Sequence, residues 1–212
     1  MITMTVDPRS YYGDVLYENP TFSFREGVTV LVGCNGSGKT TLMRRLEAAL
    51  AGVEDVSTRT FDLRDVEGFL SRALVQPDGG SDMAAILGSS EGERVVVLLG
   101  KALGWAWAQC ERGVPRVLLM LDSLDSGADV PTIDRVVDAL ETTVCEVADA
   151  YGTRLHVLVS ANTYELARGR RCVDVSTGMV RWFSSYDSYR DFCLKSHERR
   201  AVDCGTEDSK PC

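Results

Sequence analysis

Eight residues, GCNGSGKT at positions 33–40, follow directly on the apolar run VTVLV at 28–32. The run is short, rich in β-branched residues and without polar alternation, which suits a strand buried on both faces. After the loop, Leu42, Leu46 and Leu50 recur at helical spacing, with Arg44, Arg45 and Glu47 between them. Strand, glycine-rich turn and helix in direct succession leave few folds open. The glycines let successive backbone N–H groups converge on a concave anion site, and the helix start adds partial positive charge. Lys39 can reach the β- and γ-phosphates of a nucleotide, and the Thr40 hydroxyl can take a Mg²⁺ coordination position. This is a P-loop in its required context. It predicts binding of ATP with Mg²⁺ by Gly33, Asn35, Gly36, Ser37, Gly38, Lys39, Thr40 and Thr41.

The rest of the chain reads as alternating elements. Strands are expected over 56–63, 116–121 (RVLLML) and 155–159 (LHVLV), with a late hairpin formed by 172–175 and 180–183 around Thr177 and Gly178. Helices are expected over 66–74, 90–111, 132–150 (after Pro131 in a first turn) and 186–195, with a loop over 76–82 (QPDGGSD). Apolar strands without period-two alternation, separated by helices, predict an α/β fold: a mostly parallel sheet covered on both faces, with a small antiparallel portion. Residues 1–195 are read as the folded domain and 196–212 as a polar, flexible tail. Asp122 closes the strand at 116–121, where a carboxylate can hold Mg²⁺ through water.

Composition bounds the partners. The 212 residues carry a net charge of −8, which gives no support to the whole surface as a DNA clamp, although a local basic patch is allowed. The basic clusters RGRR (168–171) and KSHERR (195–200) read as solvated faces in preference to nucleic-acid contacts. Seven cysteines, with no Cys-x-x-Cys pair and no zinc spacing, read as reduced thiols and apolar fillers. No apolar stretch reaches the ~18 residues of a membrane span, and the N-terminus has no secretion signal, so a cytoplasmic location is expected.

The extended loop GCNGSGKTTL resembles that of ABC-type ATPases, including the SMC and RecF-like branch, whose form is GxNGxGKTTL. Residues 89–94 (SSEGER) resemble the ABC signature motif, LSGGQ or LSxGE, with Ser90, Gly92 and Glu93 on the matching positions. The same SxGE string is also a capping box at a helix start, and both readings stand. The resemblance implies an ABC/SMC-like P-loop NTPase fold and an ATP-dependent homodimer. In it, the signature of one subunit completes the ATP site of the other, so Ser90, Gly92 and Glu93 join the nucleotide-binding set. SLDSGAD (123–129) resembles the D-loop, with Ser126 and Asp129 on its serine and aspartate. Gln76 falls where a Q-loop glutamine would contact the metal, and Tyr12 and Tyr17 are candidates to stack on adenine. The chain has room for neither an SMC coiled coil nor a transporter's long helical insert. It resembles the small stand-alone AAA-type ATP-binding proteins of bacteria and phages.

Two positions depart from the family pattern. The residue after Asp122, normally the glutamate that polarises water, is Ser123, and the switch histidine is matched by Asn162 in VSAN (159–162). A serine without a partner is no base near neutral pH, and asparagine cannot take a proton. With Lys39, Asp122, Ser123 and Asn162 as the catalytic set, tight ATP binding and slow hydrolysis are expected, with Asp125 as a substitute carboxylate. The leading reading is a dimerisation switch serving a DNA-linked or defence-linked process. The alternative is a feeble ATPase that senses ATP and recruits an unidentified protein partner. A small-molecule kinase ranks third, because it needs no SSEGER.

Overall fold

Six of the strands share one sheet. The computed structural model describes residues 1–64 and 90–205. Two short strands, β1 (Ile2–Thr5) and β2 (Thr21–Phe24), pair antiparallel as a separate ribbon that the sequence reading missed. The remainder runs β3 (Gly27–Val32), α1 (Lys39–Leu50), β4 (Val56–Asp62), α2 (Glu91–Glu111), β5 (Arg116–Asp122), α3 (Val130–Tyr151) and β6 (Arg154–Ser160). A short α4 (Tyr164–Ala167), β7 (Cys172–Asp174), β8 (Val180–Arg181) and α5 (Tyr186–Gly205) follow. The sheet order is β4-β5-β6-β3-β7-β8, parallel throughout except for the antiparallel β7–β8 pair. The mostly parallel α/β fold read from the sequence is the fold observed.

The lack of alternation in the strands has a direct cause. Val117, Leu119 and Leu121 enter one core layer with Val95, Leu98 and Leu99 of α2 and Val136, Val137 and Leu140 of α3. Their neighbours Leu118 and Met120 enter the other layer, with Leu42, Met43 and Leu46 of α1 and Phe22 and Phe24 of the ribbon. Both faces of β5 are dry, so its positions 117–121 all take apolar side chains. The β1–β2 ribbon was harder to read because TFSF and ITMT are four residues each and bury only one side.

One boundary differs from expectation. The helix expected over 186–195 continues through Gly205 as α5. Ser196 is buried in it, and Arg199 pairs with Asp174 and Glu18. The polar composition there reflects a helix that packs through hydrogen bonds and ion pairs, which hydrophobic periodicity does not register. The expected helix at 66–74, the loop at 76–82 and Gln76 lie outside the described residues. No helix among the described residues is long and apolar enough to cross a membrane.

Candidate nucleotide site

The parallel strands β3, β5 and β6 end at one edge of the sheet, where crevices outside strand carboxyl ends hold ligands in open α/β folds. The loop after β3 turns there on strained glycines. Gly33 has φ +151°, and a Cβ on it would stand 2.5 Å from Ser37 Oγ. Gly38 has φ +95°, and a Cβ there would meet the Tyr17 ring at 3.0 Å. A cleft of ≈ 720 Å³ opens above the loop, lined by Asn35, Gly36, Ser37, Gly38, Lys39, Thr40 and Thr41 together with Asp122, Ser123, Ser160 and Asn162. Residues from the ends of β5 and β6 thus share one cleft with the glycine loop that follows β3.

Its base is a hydrogen-bonded network. Thr40 Oγ1 donates to Asp122 Oδ2 at 2.6 Å, and Ser160 Oγ donates to Asp122 Oδ1 at 2.6 Å. Ser160 Oγ in turn accepts the Ser123 N–H at 2.8 Å. Ser160 was not among the residues singled out from sequence, because a serine closing a strand carries no signal until its register against β5 is known. Lys39 Nζ donates to the carbonyls of Gly33 and Cys34 at 2.8 and 3.2 Å. Burial lowers the Lys39 pKa, opposed by the charges of Cys34, Asp125, Cys193 and Asp122. Thr40 and Asp122 supply hard oxygen donors side by side. That donor set fits Mg²⁺, which takes few protein ligands and leaves its other positions to phosphate and water.

Ser123 occupies a left-handed backbone position, φ 61°, and is buried against Ser160. Such a φ in a non-glycine residue costs on the order of 1 kcal/mol and is held here by the network around it. Asn162 donates its backbone N–H to Asp125 Oδ2 at 2.6 Å and its amide to Asp125 Oδ1 at 3.3 Å. Both Asp125 oxygens are therefore engaged, and Asp125 does not line the cleft. It braces the turn after β5 against the end of β6 instead of standing free as a base.

The two aromatic candidates separate cleanly. Tyr17 is buried beneath the loop, its hydroxyl donating to the Gly38 carbonyl at 2.9 Å, and burial pushes its pKa up to about 12. It supports the loop and cannot stack on a base. Tyr12 is exposed at the cleft rim, beside Tyr11 in an edge-to-face pair. Arg45 of α1 anchors this segment through the carbonyls of Asp7 and Arg9.

Ser90, Gly92 and Glu93 do not line the cleft of their own chain. Ser90 caps α2 with a full capping box: Glu93 N–H donates to Ser90 Oγ, while Ser90 N–H and Oγ donate to Glu93 Oε2 at 2.8 and 2.9 Å. These bonds lower the Glu93 pKa. Gly92 packs beside the Gly127 carbonyl. Asp129 caps α3 by accepting the Thr132 N–H at 3.0 Å. In the basic cluster at 168–171, Arg168 pairs with Asp134 and Arg170 with Glu141, while Arg171 donates to the Ser23 carbonyl.

Residues 9–83 match the model of a family described as an AAA domain, a span that includes the whole P-loop but less than half of the chain. No curated protein matches the chain. It is similar to the MJ0796 ATP-binding cassette in a dimeric post-hydrolysis state bound to ADP and Pi, at 15% identity over 85% of this chain and 94% of that one, TM-score 0.44. A dimeric MJ0796 structure, described as a bacterial ABC transporter cassette, gives 15% identity over 84% and 93%, TM-score 0.45. A chain of the HORMA:CdnC:Trip13 complex from E. coli MS115-1 gives 21% over 88% and 61%, TM-score 0.41. Likeness at this level carries no argument about activity or assembly. The topology, the glycine loop and the AAA-domain match over residues 9–83 together show a P-loop NTPase fold.

Proposed function

We propose that the protein is a magnesium-dependent ATP-binding switch that hydrolyses ATP slowly and closes as a head-to-tail homodimer around two nucleotides. The observation that carries this reading is the joining of Thr40 to Asp122 at 2.6 Å in the floor of the glycine-loop cleft, with a serine, Ser123, as the next residue. When bound, Mg²⁺ would neutralise charge on the terminal phosphates, and Thr40 and Asp122 are the residues that would hold it. Lys39 would leave the loop carbonyls for the β- and γ-phosphates, and the loop N–H groups would supply the rest of the anion site. The residue directly after Asp122 is a serine and Asp125 is committed to Asn162, so among the described residues the turn after β5 offers no uncommitted carboxylate to take a proton from water.

The dimer follows from the position of SSEGER at the start of a long helix, where a serine and free N–H groups can meet a phosphate of the opposite subunit. Ser90 must exchange its bonds to Glu93 for that contact. Size-exclusion chromatography with and without ATP-Mg²⁺ tests the reading. A nucleotide-dependent dimer that Ser90→Arg abolishes is the expected result, and a nucleotide-loaded monomer would remove the signature argument. Single-turnover hydrolysis at rates ordinary for efficient ATPases would overturn slow turnover. A nucleotide-dependent dimer that gives no salt-sensitive DNA binding would favour the protein-recruiting sensor over a DNA-linked role.

A further inference from the structure

One cation at the cleft has no assigned role. Arg200, in the last described turns of α5, lines the nucleotide cleft, and its guanidinium atoms lie 3.5–3.8 Å from where a Cβ on Gly36 would stand. The helix is pinned on either side of this contact. Ser196, one turn earlier and 3% exposed, accepts the Cys34 N–H through its Oγ at 3.2 Å. Arg199 pairs with the buried Asp174 at 3.4 Å and with Glu18 at 3.9 Å. No carboxylate among the described residues pairs with Arg200 itself. A guanidinium is thus held beside Gly36 of a loop whose N–H groups form a positive concavity, in the cleft that Lys39 also lines. Unscreened, that arrangement is repulsive, and it becomes favourable when an anion lies between the two positive groups.

Resting on the ATP-site reading above, we infer that Arg200 is a second cation of that site and reaches the terminal phosphate of ATP from α5. Gly36 precedes the Gly38–Thr40 stretch that enters α1, so on the ATP-site reading a guanidinium beside Gly36 would stand towards the γ-phosphate. Its planar fork suits phosphate oxygens better than a point charge does. Ser196 is a positioning residue that fixes the height of the helix over the loop. The basic cluster at 195–200 thereby acquires a role within this chain, and nucleotide state is coupled to the C-terminal helix.

Titration of fluorescent ATP and ADP analogues with Mg²⁺ into the wild type, Arg200→Gln and Lys39→Ala proteins tests this, with thermal melting as the check on folding. Arg200→Gln is expected to weaken ATP roughly tenfold and ADP less than about threefold, as loss of a charge-assisted contact to the terminal phosphate requires. Equal weakening of both nucleotides, or none, with unchanged melting overturns the inference. Lys39→Ala should weaken both nucleotides. If it weakens neither, or if the wild type binds neither, the ATP-site reading itself has failed, which is a separate outcome. A second measurement needs no variant: phenylglyoxal modification of Arg200 in the wild type, read by mass spectrometry, is expected to be blocked by ATP-Mg²⁺ and much less by ADP. Modification unaffected by ATP overturns the proposal.

Discussion

The floor of the cleft and the start of α2 are both proposed to touch ATP, yet they are built on opposite terms. At the floor, the buried Asp122 and Ser160 are interlocked with each other and with Thr40 by bonds that cross between elements far apart in sequence. At α2, Ser90 is exposed and its partners lie within the same turn, so the hydroxyl that would read a phosphate is satisfied locally. A site held by long-range contacts is present in the free chain. A site capped by its own Glu93 must be opened by something outside it. Under the proposed function, binding belongs to the single chain and switching to the meeting of two.

The comparison breaks most visibly at Asp122. Asp122→Ala removes the shared acceptor of two hydroxyls, costing about 2 kcal/mol in chemical denaturation. The affinity gap between ATP-Mg²⁺ and ATP with EDTA should collapse from roughly a hundredfold to a few-fold, since a metal-bridged phosphate contact is lost. Next in size is Ser123→Glu. Restoring a carboxylate beside Asp122 should raise single-turnover hydrolysis roughly ten- to a hundredfold without strengthening ATP binding. No change in rate would mean that the slow step lies elsewhere.

A pH series supplies a control remote from both regions. Burial holds His156 neutral in the folded chain, its pKa lowered from 6.5 to about 4. The unfolded chain takes up a proton below about pH 6.5 and the folded chain does not. Stability is therefore complete above that pH and falls as the pH drops towards 4. Between pH 7 and pH 5 the loss attributable to His156 should be about 2 kcal/mol. His156→Leu should lack that slope, whereas Asp122→Ala and Ser90→Ala should keep it. The smallest effect is that of Ser90→Ala, which should lower stability by about 1 kcal/mol through the lost cap. If ATP-dependent dimerisation survives that substitution intact, Ser90 is only a cap.

Much of this architecture was legible beforehand because strong local chemistry coincided with strong periodicity. Residues 28–50 announced strand, turn and helix, and RVLLML announced a strand buried on both faces that ends in a carboxylate. The β1–β2 ribbon was not legible, because four-residue strands packed on one side leave too short a pattern. Nor was the continuation of α5, whose packing rests on Ser196 and Arg199 instead of an apolar stripe. Tyr12 and Tyr17 looked equivalent in sequence, and burial alone separated the rim residue from the support beneath the loop.

The sequence by itself determined the phosphate loop, because the backbone turn at Gly33 and Gly38 and the reach of Lys39 are properties of a single contiguous segment. Only the tertiary structure decided what surrounds that loop. Ser160 on Asp122, Asn162 on Asp125, and Ser196 and Arg200 over Cys34 and Gly36 join residues from 37 to more than 160 positions apart. Such partners are chosen by strand register and helix placement, which the packing of both faces of the sheet sets as a whole and no local pattern records.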